Sequence, residues 1–297
     1  MSDTRKILIT GATGGLGNVV AKTLSANPQI TVLALVRDAQ AEKAQELASL
    51  GVALREGDYN NKQSLVDAFA GIDGLYFVSG NDINARLSQH QNVVEASKEA
   101  KVGHIVYTSA GRKNEASDAP LFPVMETHIA TEKWIEDSGI DYTILRHNLY
   151  SEVIPLFLGT KEQLLQNKVV FLPAADGKTA FAPREELAIA GAKVLADLPA
   201  HRNKTYAFDG SELVNFARVA EALSNILGES IPYISPSVPD FQQQMAAAGV
   251  PAEAIGMTIG FCLGIAHGEF ESEQNDLEQV LGRPTTSIEN FLREVYA

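Results

Sequence analysis

Cysteine is almost missing from this chain: Cys262 is the only one in 297 residues. A single thiol closes no intrachain disulfide, and such sparing use fits a reducing compartment. Basic residues are in the minority, 24 against 37 acidic, for a net charge of −13. That balance speaks against a nucleic-acid partner and against an anionic membrane surface, both of which call for basic patches. No apolar run approaches the roughly 18 residues of a membrane span. The six histidines, at 90, 104, 128, 147, 201 and 267, are scattered without the spacing that gathers a metal, so no metal site is expected. There is no internal repeat or low-complexity tract, and the polar opening Met1–Lys6 lacks the character of a leader peptide. A cytoplasmic location is the expectation.

What is present is ordinary globular material, 45% hydrophobic and 21% charged, organised around one stretch, Lys6–Ser25. It opens on the apolar strand Ile7-Leu8-Ile9, turns on Gly11-Ala12-Thr13-Gly14-Gly15-Leu16-Gly17, and continues in a helical pattern over Leu16–Leu24. Strand, glycine turn and helix in that order are the context of a dinucleotide site. Gly11 permits the tight turn, Gly14 lets backbone approach a pyrophosphate, and Gly17 lets the helix pack closely on the strand. The N–H groups of Thr13 to Gly17 and the positive helix end then hold phosphate. The G-x-x-G-x-x-G spacing is the one used by short-chain dehydrogenases/reductases.

The next strand, Thr31–Val36, is continuously apolar, as strands of a buried parallel sheet are. It runs out into Arg37-Asp38, about 20 residues beyond the glycine turn, where dinucleotide folds read the adenosine ribose. An arginine there accepts the 2′-phosphate of NADP and an acid bonds the free 2′-hydroxyl of NAD. Arg37 comes first, which favours NADPH over NADH; Asp38 as the reader would reverse the preference. A helix over Ala41–Leu50 and a strand over Val52–Arg55 follow, ending in Glu56-Gly57-Asp58-Tyr59. Asp58 and Tyr59 are placed to bond and cover the adenine, with a turn or cap role as the alternative for Asp58. The pattern then gives a helix at Lys62–Phe69, a strand at Gly74–Val78, a helix at about Asn84–Ala100 and a strand at His104–Tyr107. Ser79, Gly80 and Thr108 stand at the carboxyl ends of these strands, where ligands bind in such sheets. His90, inside the long helix, reads as a packing or hydrogen-bonding residue. A polar loop over Gly111–Phe122, a helix over Met125–Ser138 and a strand over Asp141–Leu145 complete the first half. This alternation predicts an α/β fold, a doubly wound parallel sheet, over residues 1–150.

Past Tyr150 helical stretches dominate (Lys161–Gln166, Arg184–Ala196, Asn215–Leu227, Asp240–Ala248, Ala252–Ala266), with short strands at Val169–Leu172, Thr205–Phe208 and Ile231–Ile234. Residues 151–297 are therefore expected to form a smaller, mostly helical substrate region, with roughly 180–210 folding back onto the sheet. The closing Leu281–Ala297 reads as a turn and an amphipathic helix with Ser287 as its cap.

Several motifs together carry a resemblance: GATGGLG at 11–17, VRD at 36–38, EGDYN at 56–60, HIVYTSA at 104–110, HIATEKWI at 128–135, YTILRHNLYSE at 142–152 and LGRPTTSIENFL at 281–292. Across nearly the whole length the chain resembles the NmrA-like branch of atypical short-chain dehydrogenases/reductases, on the side of its NAD(P)H:quinone oxidoreductases and triphenylmethane-dye reductases. The resemblance implies NADPH as cofactor, Lys133 on the nicotinamide ribose, and Asn148 and Tyr150 flanking the nicotinamide and the acceptor. One departure from the wider superfamily matters. Those enzymes place a tyrosine four residues before the lysine, and here that position is Ile129. Reduction of a simple ketone builds a strongly basic alkoxide and needs a placed proton donor. Hydride transfer to a quinone gives a delocalised hydroquinone anion, and transfer to a cationic dye gives a neutral product; positioning supplies most of the catalysis. The absent tyrosine thus points to quinone-like or dye-like planar acceptors, with His147, Tyr150 or water delivering the later proton and Phe122, Leu149, Phe157 and Phe261 offering an apolar wall. A non-catalytic NADP(H) sensor is the alternative that the resemblance implies. Either a monomer or a homodimer is compatible with this pattern.

Overall fold

The computed structural model describes residues 4–297; the start of the polar opening, 1–3, lies outside the described residues. The first half alternates strictly: β1 (Arg5–Ile9), α1 (Gly15–Ser25), β2 (Ile30–Val36), α2 (Glu42–Ser49), β3 (Ala53–Glu56), α3 (Lys62–Phe69), β4 (Gly74–Phe77), α4 (Arg86–Glu99), β5 (His104–Ala110), α5 (Phe122–Glu136) and β6 (Asp141–His147). α5 opens at Phe122, three residues ahead of the sequence expectation. Pro123 falls in its first turn, where a missing N–H costs nothing. The second half holds α6 (Val153–Leu158), α7 (Lys161–Asn167), β7 (Val170–Phe171), α8 (Arg184–Ala196), β8 (Lys204–Phe208), α9 (Phe216–Leu227), β9 (Tyr233–Ile234), α10 (Val238–Ala247), α11 (Ala252–Ala266), α12 (Asp276–Leu281) and α13 (Ile288–Tyr296).

Seven strands form one parallel sheet in the order β3-β2-β1-β4-β5-β6-β8, so the fold is the Rossmann-like α/β class, doubly wound about β1. The period of two along each strand assigns its residues to two faces. Ile7, Ile9, Tyr76, Val106 and Leu145 point to one side and pack under α1, α2, α8 and α12. Leu8, Leu75, Phe77, Ile105 and Tyr107 point to the other and pack under α3, α4 and α5. Both faces are covered, which is why the strands read as unbroken apolar runs. A third core gathers Leu149, Phe181, Phe216, Leu223, Cys262, Phe291 and Leu292 from the segments beyond β6. Beyond β6 the chain leaves the sheet for β7, returns for α8 and β8, leaves again, and returns for α12.

Candidate functional site

The switch of winding direction falls between β1 and β4, and a cleft of about 570 Å³ opens there at the carboxyl edge of the sheet. The glycine turn forms its floor. Gly11 sits at φ +58°, the left-handed region, and its carbonyl accepts from Gly14 N at 2.9 Å to close the turn. Gly17 has no room for a side chain: a Cβ there would lie 2.5 Å from the Gly11 carbonyl oxygen and 2.9 Å from that of Thr10. The first turn of α1 carries no acidic residue, and its N-cap, Gly14, offers no side-chain acceptor. Its N–H groups and the positive end of the helix dipole therefore face the cleft uncompensated.

Gly11, Thr13, Gly14, Gly15, Leu16, Gly17, Arg37, Asp58, Tyr59, Ser79 and Gly80 all line this cleft, so eleven of the residues singled out in the sequence converge on one cavity. Arg37 is exposed at the end of β2 and makes no hydrogen bond or ion pair among the described residues. Asp38 does not line the cleft; its carboxylate accepts from Gln40 N at 2.8 Å in a local turn. Asp58 takes the turn role, its Oδ1 accepting from Asn60 N, and it also lines the cavity. The cap of α3 is Asn61. Tyr59 forms wall more than cover. Its hydroxyl lies 2.5 Å from Thr10 Oγ1 and 2.9 Å from the Val78 carbonyl, and its ring meets Phe77 edge-on. Burial raises its pKa well above the ordinary phenol range, so the hydroxyl keeps its proton.

Other expectations are corrected. Thr108 lies beneath the wall rather than on it: the hydroxyl accepts from Ser79 N at 3.0 Å and so holds the strand end that does line the cleft. Lys133 turns to solvent, its side chain 73% exposed and paired with Asp137 at 3.0 Å. The face of α5 that meets the protein carries Met125, His128, Thr131, Glu132 and Ile135, and one step of 100° past Glu132 takes Lys133 out of it. Asn148 is buried with both amide hydrogens engaged. It donates to Asp209 Oδ1 (2.7 Å) and the Phe270 carbonyl (3.1 Å) and accepts from Leu149 N (2.8 Å). It ties the end of β6 to later segments, with both amide hydrogens taken and only the second acceptor site of its oxygen left for a nicotinamide.

His147 is also buried, stacked on Phe208 at 5.7 Å, with Nδ1 3.4 Å from the Tyr150 hydroxyl and Nε2 without a partner. Burial lowers its pKa to about 3, so the ring is neutral at working pH and is a poor proton donor. Tyr150 stays half-buried beside it. Burial lifts its phenol to about 12 against the pull of Arg184, whose guanidinium carbon lies 5.1 Å over the ring.

Three further features shape the site, and of these the sequence offers only His90, as a packing or hydrogen-bonding residue. Thr10, at the end of β1, joins three elements through its hydroxyl: Val78 N donates to it at 2.9 Å, and Tyr59 and the Tyr76 carbonyl share it. His90 accepts from Gly80 N through Nε2 at 2.9 Å. Its Nδ1 therefore carries the proton and donates to Thr131 Oγ1, whose own hydrogen goes to the Thr127 carbonyl. The third is Glu132, buried between Arg112 (2.8 Å) and Arg146 (2.6 Å). A carboxylate on the buried face of a helix is a rarer event than an exposed lysine beside it, and so the better signal.

The chain matches the NmrA-like family over residues 3–286. It is 33% identical to quinone oxidoreductase 2 of Escherichia coli strain K12 over 98% of each chain. Among solved structures it resembles the E. coli NADPH-dependent quinone oxidoreductase complexed with NADPH, at a TM-score of 0.88 and 33% identity, covering 98% of this chain and 100% of that one. It also resembles the Citrobacter sp. triphenylmethane reductase complexed with NADP(H), at 0.86 and 33%, covering 97% and 99%.

Proposed function

The chain belongs to the NmrA-like family, and from that membership and the geometry of the cleft we propose that it is an NADPH-dependent reductase of quinone-like or conjugated aromatic acceptors. The observation that carries this reading is the union, in one cavity, of an uncapped helix N-terminus above the glycine turn and Arg37 at the end of β2, without a partner among the described residues. These are the two anion sites that NADPH requires, one for its pyrophosphate and one for its 2′-phosphate. NADPH, when bound, supplies the hydride. The first-turn N–H groups of α1 hold the pyrophosphate, and Arg37 holds the 2′-phosphate. Ser79 and Gly80 form the wall at the end of β4, kept in place by Thr108 and His90.

The acceptor class follows from what the chain lacks. Ile129 packs against the third core at the position where a tyrosine acid would stand, and His147 is neutral. A quinone that takes up a hydride becomes a hydroquinone anion, and one proton from water or the Tyr150 phenol completes the product. That anion is stable enough to wait for its proton, whereas the alkoxide from a simple ketone is not.

The test is NADPH oxidation by the purified protein with simple benzoquinones, run beside NADH and beside an unactivated ketone. Turnover with quinone, preference for NADPH and no ketone reduction are the expected results. Tight NADPH binding without turnover on quinones or dyes would replace the enzyme with a dinucleotide sensor.

A further inference from the structure

The first residue of α8 lies against the first residue of α1. The guanidinium of Arg184 crosses directly over Gly15, so that a Cβ on Gly15 would lie 2.9 Å from Nη1. On its other side Arg184 stacks over the Tyr150 ring at 5.1 Å. No carboxylate or carbonyl accepts from this guanidinium among the described residues. Glu152 accepts instead from the backbone N–H of Arg184, at 3.2 Å from both oxygens, and so caps α8 in place of Pro183. The isolated bridge between Tyr150 and Ala182 sets this corner, bringing the start of α8 to the end of β6.

The electrostatics are out of balance as they stand. The N-terminus of α8 is compensated by Glu152, Glu185 and Glu186, whereas that of α1 has no acid in its first turn. A cation beside the positive end of a helix is repelled by it. Two positive features meet at Gly15, with no anion supplied to them among the described residues, a configuration that an anionic ligand relieves. Gly15 itself lines the cleft.

We infer that Arg184 is a dinucleotide-binding residue, contributed by the second half of the chain, which donates to the phosphates held at the N-terminus of α1. This rests on the dinucleotide reading proposed above. It divides the charge of NADPH between two arginines: Arg37 for the 2′-phosphate at the adenosine end, and Arg184 for the pyrophosphate near Tyr150. It also gives Gly15 a purpose apart from its flanking glycines, since any side chain there would displace the guanidinium.

The experiment measures binding of NADPH, by its fluorescence, and of 2′-AMP, by competition, in wild type, Arg184→Gln and Arg184→Lys. 2′-AMP carries the 2′-phosphate and lacks the pyrophosphate. Arg184→Gln keeps a planar group over Tyr150 and removes the charge; apo melting curves check that each variant is folded. The expected result is a rise in the NADPH dissociation constant of about tenfold in Arg184→Gln, as loss of one charge-assisted bond gives. The 2′-AMP constant is unchanged, and Arg184→Lys falls between. Wild-type NADPH affinity in a folded Arg184→Gln protein overturns the inference. Equal loss of NADPH and 2′-AMP overturns it too, since the effect would then be a general disturbance of the cleft. A wild-type chain that does not bind NADPH overturns the dinucleotide reading itself.

Discussion

Glu132 holds three neighbours at once. Arg112 and Arg146 flank its carboxylate, and Ser109 donates to it from β5, so the end of β5, the loop after it and the end of β6 meet on one side chain. Burial alone would push its pKa up. The two guanidiniums outweigh that and hold it down to about 2. An acid whose folded pKa lies below its unfolded value stabilises the fold above the unfolded pKa, near 4.3, and loses that contribution as pH falls toward about 2. Glu132→Gln leaves two arginines facing a neutral amide, and the expected loss is about 3–5 kcal/mol at pH 7, as for other broken buried pairs. Denaturant melts at pH 7 and near pH 3 check this: the gap between wild type and variant should narrow at the lower pH. A gap independent of pH would mean that packing, not charge, is what the glutamate provides.

Arg37 offers the opposite case, an exposed cation whose worth appears only with a ligand. Arg37→Ala should weaken NADPH binding by about 10- to 100-fold, the equivalent of one or two bonds to a charged group, while NADH binding changes little. Equal losses for the two dinucleotides would remove the 2′-phosphate assignment and return attention to Asp38. At this scale residue type was readable in advance and azimuth was not. The glycine turn and Arg37 are placed by their neighbours in the chain, and they reach the cleft. Lys133, Asn148 and Thr108 stand on the right elements, but a rotation of one helical step, or partners from distant segments, decide what each touches. Arg184 has no local motif at all, because its partners Gly15 and Tyr150 come from elsewhere in the chain.

At the scale of the element, the contact of α1 with β1 sets the mouth of the cleft. It is as close as backbone allows, since a Cβ on Gly17 would sit 2.5 Å from the Gly11 oxygen, 2.8 Å from the Gly11 carbonyl carbon and 2.9 Å from the Thr10 oxygen. Those atoms belong to backbone that closes the turn, so they cannot swing aside as a side chain would. Gly17→Ala should therefore force helix and strand apart and cost about 1–3 kcal/mol, the usual range for overpacking. It should also weaken NADPH binding, because the first-turn N–H groups move with the helix. Unfolding curves and NADPH titration measure the two effects separately, and an unchanged affinity would show that the helix end tolerates displacement. Elements with strong patterns and caps were readable from the sequence. Ser287, for instance, does cap α13 by accepting from Asn290 N. The six-residue helices α6 and α12 were harder, because neither has a side-chain cap and neither is long enough to show a period.

Taken as a whole molecule, the chain crosses between its cores too often to be cut in two. The change of rhythm at Tyr150 marks a boundary that the expected fold-back of roughly 180–210 blurs, and α8, β8 and α12 all add to the sheet from beyond it. α8 supplies Leu187, Ala188, Val194 and Leu195 against Val20 and Leu24 of α1, α12 adds Leu277 and Leu281, and β8 pairs with β6 over five residues. Gly191 of α8 lies on the ring of Tyr76, where a Cβ would come within 3.1 Å of it. A fragment ending at residue 150 would strip α8 and α12 from the face that carries Val20 and Tyr76 and leave β6 as an open edge, a surface that aggregates. That fragment is therefore expected to show no cooperative melting transition of its own. The full chain should melt in a single transition, because the segments past β6 unfold only by uncovering the sheet. NADPH should raise that transition as one, by about 2.7 kcal/mol at a hundredfold excess over its dissociation constant. Calorimetry of the full chain with and without NADPH, beside circular dichroism of the fragment, decides the matter. Two transitions in the full chain, or a cooperative melt in the fragment, would mean that the sheet stands without α8 and β8, and the cleft would then belong to the first half alone.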